Sequence, residues 1–299
     1  MMFIKWILFL VLSAIWGSSF ILMKEGMNVL SPYQVAALRI FSAGFVLLPF
    51  FIKAWKQIPR NKIIIVLFSG LVGNFIPAFL FCLAETKIDS SIAGILNALT
   101  PLFTIIIGML FFNIHANAIK ITGVFIGFIG LLLLFTGGGK IDFSNISYSL
   151  LILLATLMYG INVNMVGKHL QEIGSLNIAT VAFGLLVIPS LIILFYTGYF
   201  KFQFTHKDFL LSTGASCLLG IMGTAIATVL FYRLLKKAGA LFASMVTYGI
   251  PIVAVLLGLL RNEKITLQII VSLFVILLGV YIVNAANKNP SLFKKQKGM

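Results

Sequence analysis

Charged side chains are scarce in this sequence. They make up 10% of its 299 residues, against about 25% in an ordinary soluble domain. Hydrophobic residues make up 61%, and the mean hydropathy is +1.11. A soluble protein of this composition would lack the polar surface that has to cover its core. The composition therefore excludes a soluble globular domain and predicts a chain that lies in lipid.

Acidic residues are scarcer than basic ones, with seven against 22, and the net charge is +15. Such a balance can indicate nucleic-acid binding, but those proteins carry their cations on a soluble face. Here the cations stand in short tracts between apolar runs, as in loops retained on the cytoplasmic side of a membrane. Nucleic acid is therefore not expected as a partner. The two cysteines, Cys82 and Cys217, lie in apolar runs and are expected to be reduced.

Long apolar runs form most of the chain. Helices are expected there because lipid offers no water to unpaired backbone groups, and because the runs do not alternate as membrane β-strands do. The predicted fold class is all-α integral membrane with ten transmembrane helices. Their predicted ranges are 3–23, 32–52, 62–84, 90–112, 117–137, 146–168, 176–197, 209–234, 239–260 and 266–286.

The loops differ in their content of lysine and arginine. If the N-terminus is cytoplasmic, 14 of the 22 cations fall on the cytoplasmic side, 7 fall outside and Arg39 lies within a helix. Cytoplasmic loops retain such an excess. The distribution predicts a multi-pass protein of the cell (inner) membrane with both termini in the cytoplasm.

A weak internal repeat relates the two halves of the chain. A shift of 150 residues pairs Gly70 with Gly220, Gly73 with Gly223, Pro101 with Pro251 and Gly108 with Gly258. Smaller shifts pair Trp16-Gly17 with Tyr159-Gly160, and Pro49 with Pro189. The predicted units are a first five-helix repeat (1–138), a connecting turn (139–145), a second five-helix repeat (146–287) and a basic cytoplasmic tail (288–299).

Five is an odd number of crossings, so the second repeat enters the membrane from the opposite side. Inverted repeats of this kind are typical of secondary transporters, in which two opposed halves alternate access to a central site. Gene duplication without that function is the competing interpretation. The glycines of Gly123-x-x-x-Gly127 fit either a homodimer face or close packing within one chain.

Neutral polar and aromatic residues recur near the middle of predicted helices 1, 3, 4, 6, 8 and 9. Such groups are costly in lipid unless they line water or bind one another. Interhelical hydrogen bonding explains any one of them equally well, but the whole set favours a central cavity. The predicted substrate-binding residues are Trp16, Ser19, Asn74, Asn97, Tyr159, Asn162, Thr224, Thr228, Thr247 and Tyr248, and Tyr232 joins them by position.

Three further residues stand out within the helices. Pro101 and Pro251 remove backbone donors and are predicted hinges, with a simple packing kink as the alternative. The charge of Arg39 is predicted to have a structural role. Its side chain either pairs with Glu85 or Asp89 or extends to the outer interface. Contact between Arg39 and a solute is the alternative.

The chain resembles the EamA family of the drug/metabolite transporter superfamily. The resemblance rests on Ile15-Trp16-Gly17-Ser18-Ser19-Phe20 with Lys24, on Ala36-Ala37-Leu38-Arg39-Ile40-Phe41, and on Ala93 through Thr100-Pro101-Leu102 to Gly108 with its copy around Pro251. It implies a ten-helix inverted repeat around a cavity, and export of amino acids and other metabolites. One position departs from the family pattern, because Asn113 stands where a glutamate usually ends helix four, whereas Glu263 keeps it in the second copy.

The function predicted from the sequence is that of a secondary-type membrane transporter, with a small-molecule substrate and the lipid bilayer as its partners. A passive channel for small solutes is the main alternative. A membrane-embedded enzyme is less favoured because the helices offer no nucleophile with a base. No cofactor is expected, and the three histidines lack the spacing of metal ligands.

Overall fold

The regular structure of this chain is helical throughout the part that the structure describes. The computed structural model describes residues 2–113, 118–135, 145–202, 206–244, 246–260, 262 and 265–288. Its α-helices are α1 (Met2–Gly26), α2 (Pro32–Leu47), α3 (Phe51–Lys56), α4 (Ile63–Gly70), α5 (Ile76–Ala84), α6 (Ser90–Asn97), α7 (Thr100–Phe111), α8 (Ala118–Phe135), α9 (Ile146–His169), α10 (Ser175–Tyr196), α11 (Lys207–Leu218), α12 (Ala227–Ser244), α13 (Val246–Leu260) and α14 (Leu267–Lys288). The predicted connecting turn and basic tail lie almost wholly outside these residues.

Several of the helices continue one another and together form spans that could cross a bilayer. Within the described residues, seven are long and apolar enough by length and composition: Ile4–Gly26, Pro32–Lys56, Arg60–Ala84, Ser90–Phe111, Ile146–His169, Ser175–Tyr196 and Lys207–Gly239. Three shorter apolar stretches, Ile121–Gly130, Val246–Leu260 and Leu267–Gly279, lie where the fifth, ninth and tenth helices are predicted. The chain is therefore an all-helical multi-pass membrane protein, and the number of ten crossings stays a prediction.

The spans are interrupted where the backbone lacks a donor or changes its winding. A 3₁₀ turn (Leu48–Phe50) that contains Pro49 separates α2 from α3. Two π turns, Leu71–Phe75 and Leu219–Ile226, join α4 to α5 and α11 to α12. Gly239, with φ 80° and ψ 165°, breaks the helical path within α12, since only glycine adopts such angles without strain.

The helices pack in matched pairs. The two most extensive helix contacts join α2 to α10 and α8 to α14. α1 packs on α13, α12 and the second π turn, while α9 packs on α7, α5 and the first π turn. This arrangement surrounds the middle of α1 and α9 with helices from both halves of the sequence.

Glycines allow the closest of these approaches. A methyl group at Gly17 in α1 would lie 2.6 Å from Cγ1 of Val253 in α13. A methyl group at Gly160 in α9 would lie 2.9 Å from the amide nitrogen of Thr104 and 3.0 Å from the carbonyl carbon of Phe103, both in α7. Small residues at helix interfaces let backbones pack closely where no hydrophobic effect drives association.

The α8–α14 pair is packed in the same way, through the motif that contains Gly123 and Gly127. A methyl group at Gly279 of α14 would meet the backbone of both residues, and one at Gly130 of α8 would meet Ile276 of α14. The Gly123-x-x-x-Gly127 motif is thus buried within one chain. This contact supports close packing within one chain, and a homodimer stays a prediction.

Large apolar side chains cover the outside of the helices. Ile64, Leu110, Leu132, Phe195 and Leu260 are each more than 60% exposed. Such a surface would be unstable in water but is matched by the hydrocarbon of a bilayer. Polar side chains of the same helices, such as Ser69, Thr104 and Ser190, are buried inside the molecule instead.

Candidate functional site

A central cavity of about 100 Å³ lies between helices of both halves. Its described lining is Trp16, Ser19, Phe20, Met23, Arg39, Gly73, Asn74, Phe81, Asn97, Thr100, Tyr159, Asn162, Val163, Thr228, Phe231, Tyr232, Thr247 and Ile250. These residues belong to α1, α2, the first π turn, α5, α6, α7, α9, α12 and α13.

Aromatic rings form two clusters on the cavity wall. Trp16 lies beside Phe231, with ring centroids 5.2 Å apart. In the second cluster, Phe81 stacks with Tyr159 at 6.1 Å and tilts against Phe20 at 6.0 Å. Rings in such clusters offer flat apolar faces to the body of a solute.

One π turn supplies residues to the cavity wall, and the other binds a residue of that wall. The first contributes Gly73 and Asn74 to the wall. The second contains Gly223, whose carbonyl oxygen accepts the indole N–H of Trp16 at 2.9 Å. A π turn adds one residue to a helical turn and occurs frequently at functional sites. Across the cavity, the Thr228 hydroxyl donates to Oδ1 of Asn74 at 3.2 Å and so connects the two halves.

A buried polar network joins three helices beside the cavity. Ser69 of α4 donates to Oδ1 of Asn162 in α9 at 2.7 Å and lies 3.0 Å from the hydroxyl of Tyr232 in α12. Asn162 in turn donates from Nδ2 to the Tyr232 oxygen at 3.3 Å. The three side chains are at most 5% exposed. Their mutual hydrogen bonds therefore satisfy polar groups that neither lipid nor the apolar core could satisfy.

Arg39 brings a positive charge to the cavity wall. Its side chain is 8% exposed, and Nε donates to the hydroxyl of Thr224 at 2.7 Å. One terminal nitrogen also lies 3.9 Å from the sulfur of Met23. Thr224 itself is fully buried and does not line the cavity; it holds the guanidinium in place.

The two acids proposed from the sequence as partners of Arg39 have other neighbours. Asp89 lies 3.8 Å from the ammonium group of Lys24. Glu85, which is 4% exposed, accepts a hydrogen bond from Ser90 at 3.2 Å. Among the described residues, no carboxylate lies within 4 Å of the Arg39 guanidinium.

Pro101 marks a break between α6 and α7, whereas Pro251 lies within the continuous helix α13. Because Pro101 has no N–H, it cannot donate to the carbonyl of Asn97 four residues earlier. The hydroxyl of Thr100 donates to that carbonyl at 2.7 Å instead. The break therefore places Asn97 and Thr100 on the cavity wall.

The structure brings together eight of the ten predicted substrate-binding residues. The residues of that set that line the cavity are Trp16, Ser19, Asn74, Asn97, Tyr159, Asn162, Thr228 and Thr247. Thr224 lies behind the wall as the partner of Arg39. Tyr248 is half-buried and packs against the apolar core. Whether any of these residues binds a solute stays a prediction.

Apolar members of the wall were missed from the sequence. Phe20, Met23, Phe81, Phe231 and Ile250 line the cavity, but nothing distinguishes them from the many apolar residues that face lipid. Their spacing gives one possible signal, since Phe20 lies one helical turn from Trp16 and Met23 follows on the same face.

Together, the helical fold, the lipid-compatible surface and a central cavity define a multi-pass membrane protein built to hold a small solute. The sequence matches the EamA-like transporter family over residues 4–136 and 146–285. The chain belongs to that family and is a membrane transporter, which confirms the resemblance noted from the motifs.

Curated relatives agree with this assignment. An uncharacterized transporter of Archaeoglobus fulgidus is 27% identical over 284 residues, which cover 93% of this chain and 98% of that protein. The uncharacterized inner membrane transporter YedA of Escherichia coli K12 is 26% identical, with 90% of this chain and 89% of YedA covered. A probable amino-acid metabolite efflux pump of the same organism is 27% identical over 129 residues, which are 43% of this chain and 42% of the pump.

A solved crystal structure shares the fold. It superposes with a TM-score of 0.66 over 95% of this chain and 98% of the other chain, at 14% sequence identity. At that identity the likeness concerns the path of the helices only.

Proposed function

We propose that this transporter is a secondary carrier that exports amino acids or similar small metabolites by alternating access. In this proposal ten transmembrane helices form two inverted five-helix repeats, 1–138 and 146–287, joined by 139–145 and followed by a cytoplasmic tail, 288–299. Both termini lie in the cytoplasm of a cell whose inner membrane holds the protein.

The observation that carries the proposal is the matched packing around the cavity. Gly17 of α1 meets Val253, and Gly160 of α9 meets Phe103. Gly17 and Gly160 are paired by the sequence repeat, and Phe103 and Val253 are 150 residues apart, which is the repeat shift. Two half-structures with the same contacts in opposite orientation can exchange conformations, which is what alternating access requires.

The chemistry of the wall supports a small amphipathic solute. Amide and hydroxyl groups of Asn74, Asn97, Thr228 and Thr247 stand beside aromatic faces, and sites of this kind combine apolar burial with a few orienting polar groups. The efflux pump that matches part of this chain is named for amino-acid metabolites, which agrees with such a solute.

Counterflow in proteoliposomes tests the proposal. Vesicles loaded with an unlabelled amino acid are diluted into a trace of the same labelled compound, with sugars and nucleosides tested in parallel and protein-free vesicles as the control. A carrier exchanges solute and accumulates label transiently above its equilibrium level. Uptake that only reaches equilibrium would indicate a channel, and uptake confined to sugars or nucleosides would contradict the amino-acid assignment.

A further inference from the structure

The cavity wall carries a buried cation. Of the described lining residues, Arg39 alone carries a charge. Two contacts, to Thr224 and Met23, use two of the five N–H donors of the guanidinium. Among the described residues, no carboxylate lies within ion-pair distance of the remaining donors.

A buried guanidinium in this position is costly. Arginine stays protonated in proteins, so it cannot lower the cost by losing its charge. A charge at membrane depth is retained where it faces a partner or a pathway. The described residues that contact the guanidinium offer a neutral hydroxyl and a thioether rather than an anion, so an anionic group in the cavity would complete the pair.

The guanidinium is held in a fixed orientation. The 2.7 Å bond to Thr224 ties Nε to the second π turn. The backbone behind it is also fixed, because a methyl group at Gly220 in that turn would overlap the carbonyl of Arg39 and the hydroxyl of Ser42. With Nε occupied, the two terminal nitrogens present the end of the planar fork, which binds both oxygens of a carboxylate.

We propose that Arg39 binds the carboxylate of the transported solute, so that the cavity selects organic acids with an apolar or aromatic body. The inference rests on the proposed function and specifies its substrate class. The carboxylate meets the guanidinium near Met23, and the body of the solute lies between the Trp16–Phe231 pair and the Phe81–Tyr159 pair. Amides and esters of the same acids lack the charge and bind more weakly.

A matched pair of solutes tests the proposal on purified protein in detergent. Calorimetric titration at neutral pH compares 3-phenylpropionate with 3-phenylpropanamide, which have the same ring and chain but differ in charge. The wild type is expected to bind the acid more tightly than the amide. In Arg39→Gln, Kd for the acid rises by about tenfold or more, as expected when one partner of a buried charge pair is removed. Kd for the amide changes by less than about twofold, because the amide never formed that pair.

Two further variants separate recognition from folding. Lys24→Gln removes one positive charge at the outer end of α1, where the ammonium pairs with Asp89, and is expected to leave both Kd values unchanged. Thr224→Val keeps the charge of Arg39 but removes the hydrogen bond that holds it. Kd for the acid should therefore rise by less than in Arg39→Gln. If Arg39→Gln is unstable, Thr224→Val and Arg39→Lys take its place. Each should raise Kd for the acid more than Kd for the amide.

Several results would overturn the proposal: equal Kd values for acid and amide in the wild type, an equal loss of both in Arg39→Gln, or no binding of either compound. The proposed carrier function fails separately, if no counterflow is seen. Carboxylate selectivity in detergent without counterflow would therefore leave the Arg39 assignment intact and count against the carrier.

Discussion

The indole N–H of Trp16 donates to the carbonyl oxygen of Gly223 at 2.9 Å. This bond connects the middle of α1 to the second π turn, and Phe231 lies against the same indole ring at 5.2 Å. Trp16 therefore contributes both a wall of the cavity and a link between the two halves of the chain.

Trp16→Ala is expected to raise Kd for 3-phenylpropionate by about tenfold, the effect of losing a buried aromatic contact. Trp16→Phe keeps a ring but loses the hydrogen bond to Gly223, so its effect should be smaller. Calorimetric titration measures both. Phe125→Ala is the control, since that ring is 66% exposed on the outer surface, and equal Kd values for Trp16→Ala and Phe125→Ala would place the binding site elsewhere.

Gly160→Ala is expected to lower the free energy of unfolding by about 1–3 kcal/mol, as overpacking usually does. The added methyl group would press on the backbone of α7 at 2.9 Å. Gly167→Ala on the same helix is the matched control, because no atom lies within 4 Å of its added methyl. Unfolding in mixed micelles compares the two, and an equal stability of both variants would contradict the close α9–α7 contact.

Ser69 and Tyr232 are expected to be coupled in stability. Their hydroxyls lie 3.0 Å apart in a network shared with Asn162. A double-mutant cycle of Ser69→Ala and Tyr232→Phe should give a coupling free energy of about 0.6 kcal/mol, the average for hydrogen bonds between membrane helices. Additive effects within error would mean that the bond contributes nothing measurable.

Pro101→Ala and Pro251→Ala are each expected to slow transport if these prolines act as hinges. In Pro101→Ala the new N–H would compete with the Thr100 hydroxyl for the carbonyl of Asn97, and restoring that bond should stiffen the span. Initial rates of counterflow provide the measurement. Pro189→Ala within α10 is the control, since Pro189 does not line the cavity. Wild-type rates in both hinge variants would leave the two prolines with a packing role.

Asn61→Cys and Thr86→Cys should react differently with a membrane-impermeant thiol reagent on whole cells. Both positions are exposed, and they lie at opposite ends of the α4–α5 span. In a background that lacks Cys82 and Cys217, position 86 should be labelled from outside and position 61 only after lysis. The reverse pattern would contradict the cytoplasmic termini predicted from the distribution of cations.

The helices themselves could largely be predicted from the sequence, although their interruptions could not. The range 62–84 is one apolar run, yet it contains a π turn at Leu71–Phe75. The range 90–112 is likewise continuous in hydropathy, yet it breaks before Thr100 and Pro101. Hydropathy reports where a chain prefers lipid, but the winding of a helix depends on which side chains and backbone donors its neighbours offer.

The sequence by itself determined that this chain is an all-helical membrane protein, because composition and the length of apolar runs act locally and the bilayer leaves helices as the natural form. Its motifs and repeat also indicated the family. Only the tertiary structure decided that Arg39 is held by Thr224, that Tyr248 lies away from the cavity, and that Phe20, Phe81 and Phe231 line it. The physical reason is that each helix is free to rotate about its own axis until close glycine contacts, such as that of Gly160 with α7, fix which face points inward.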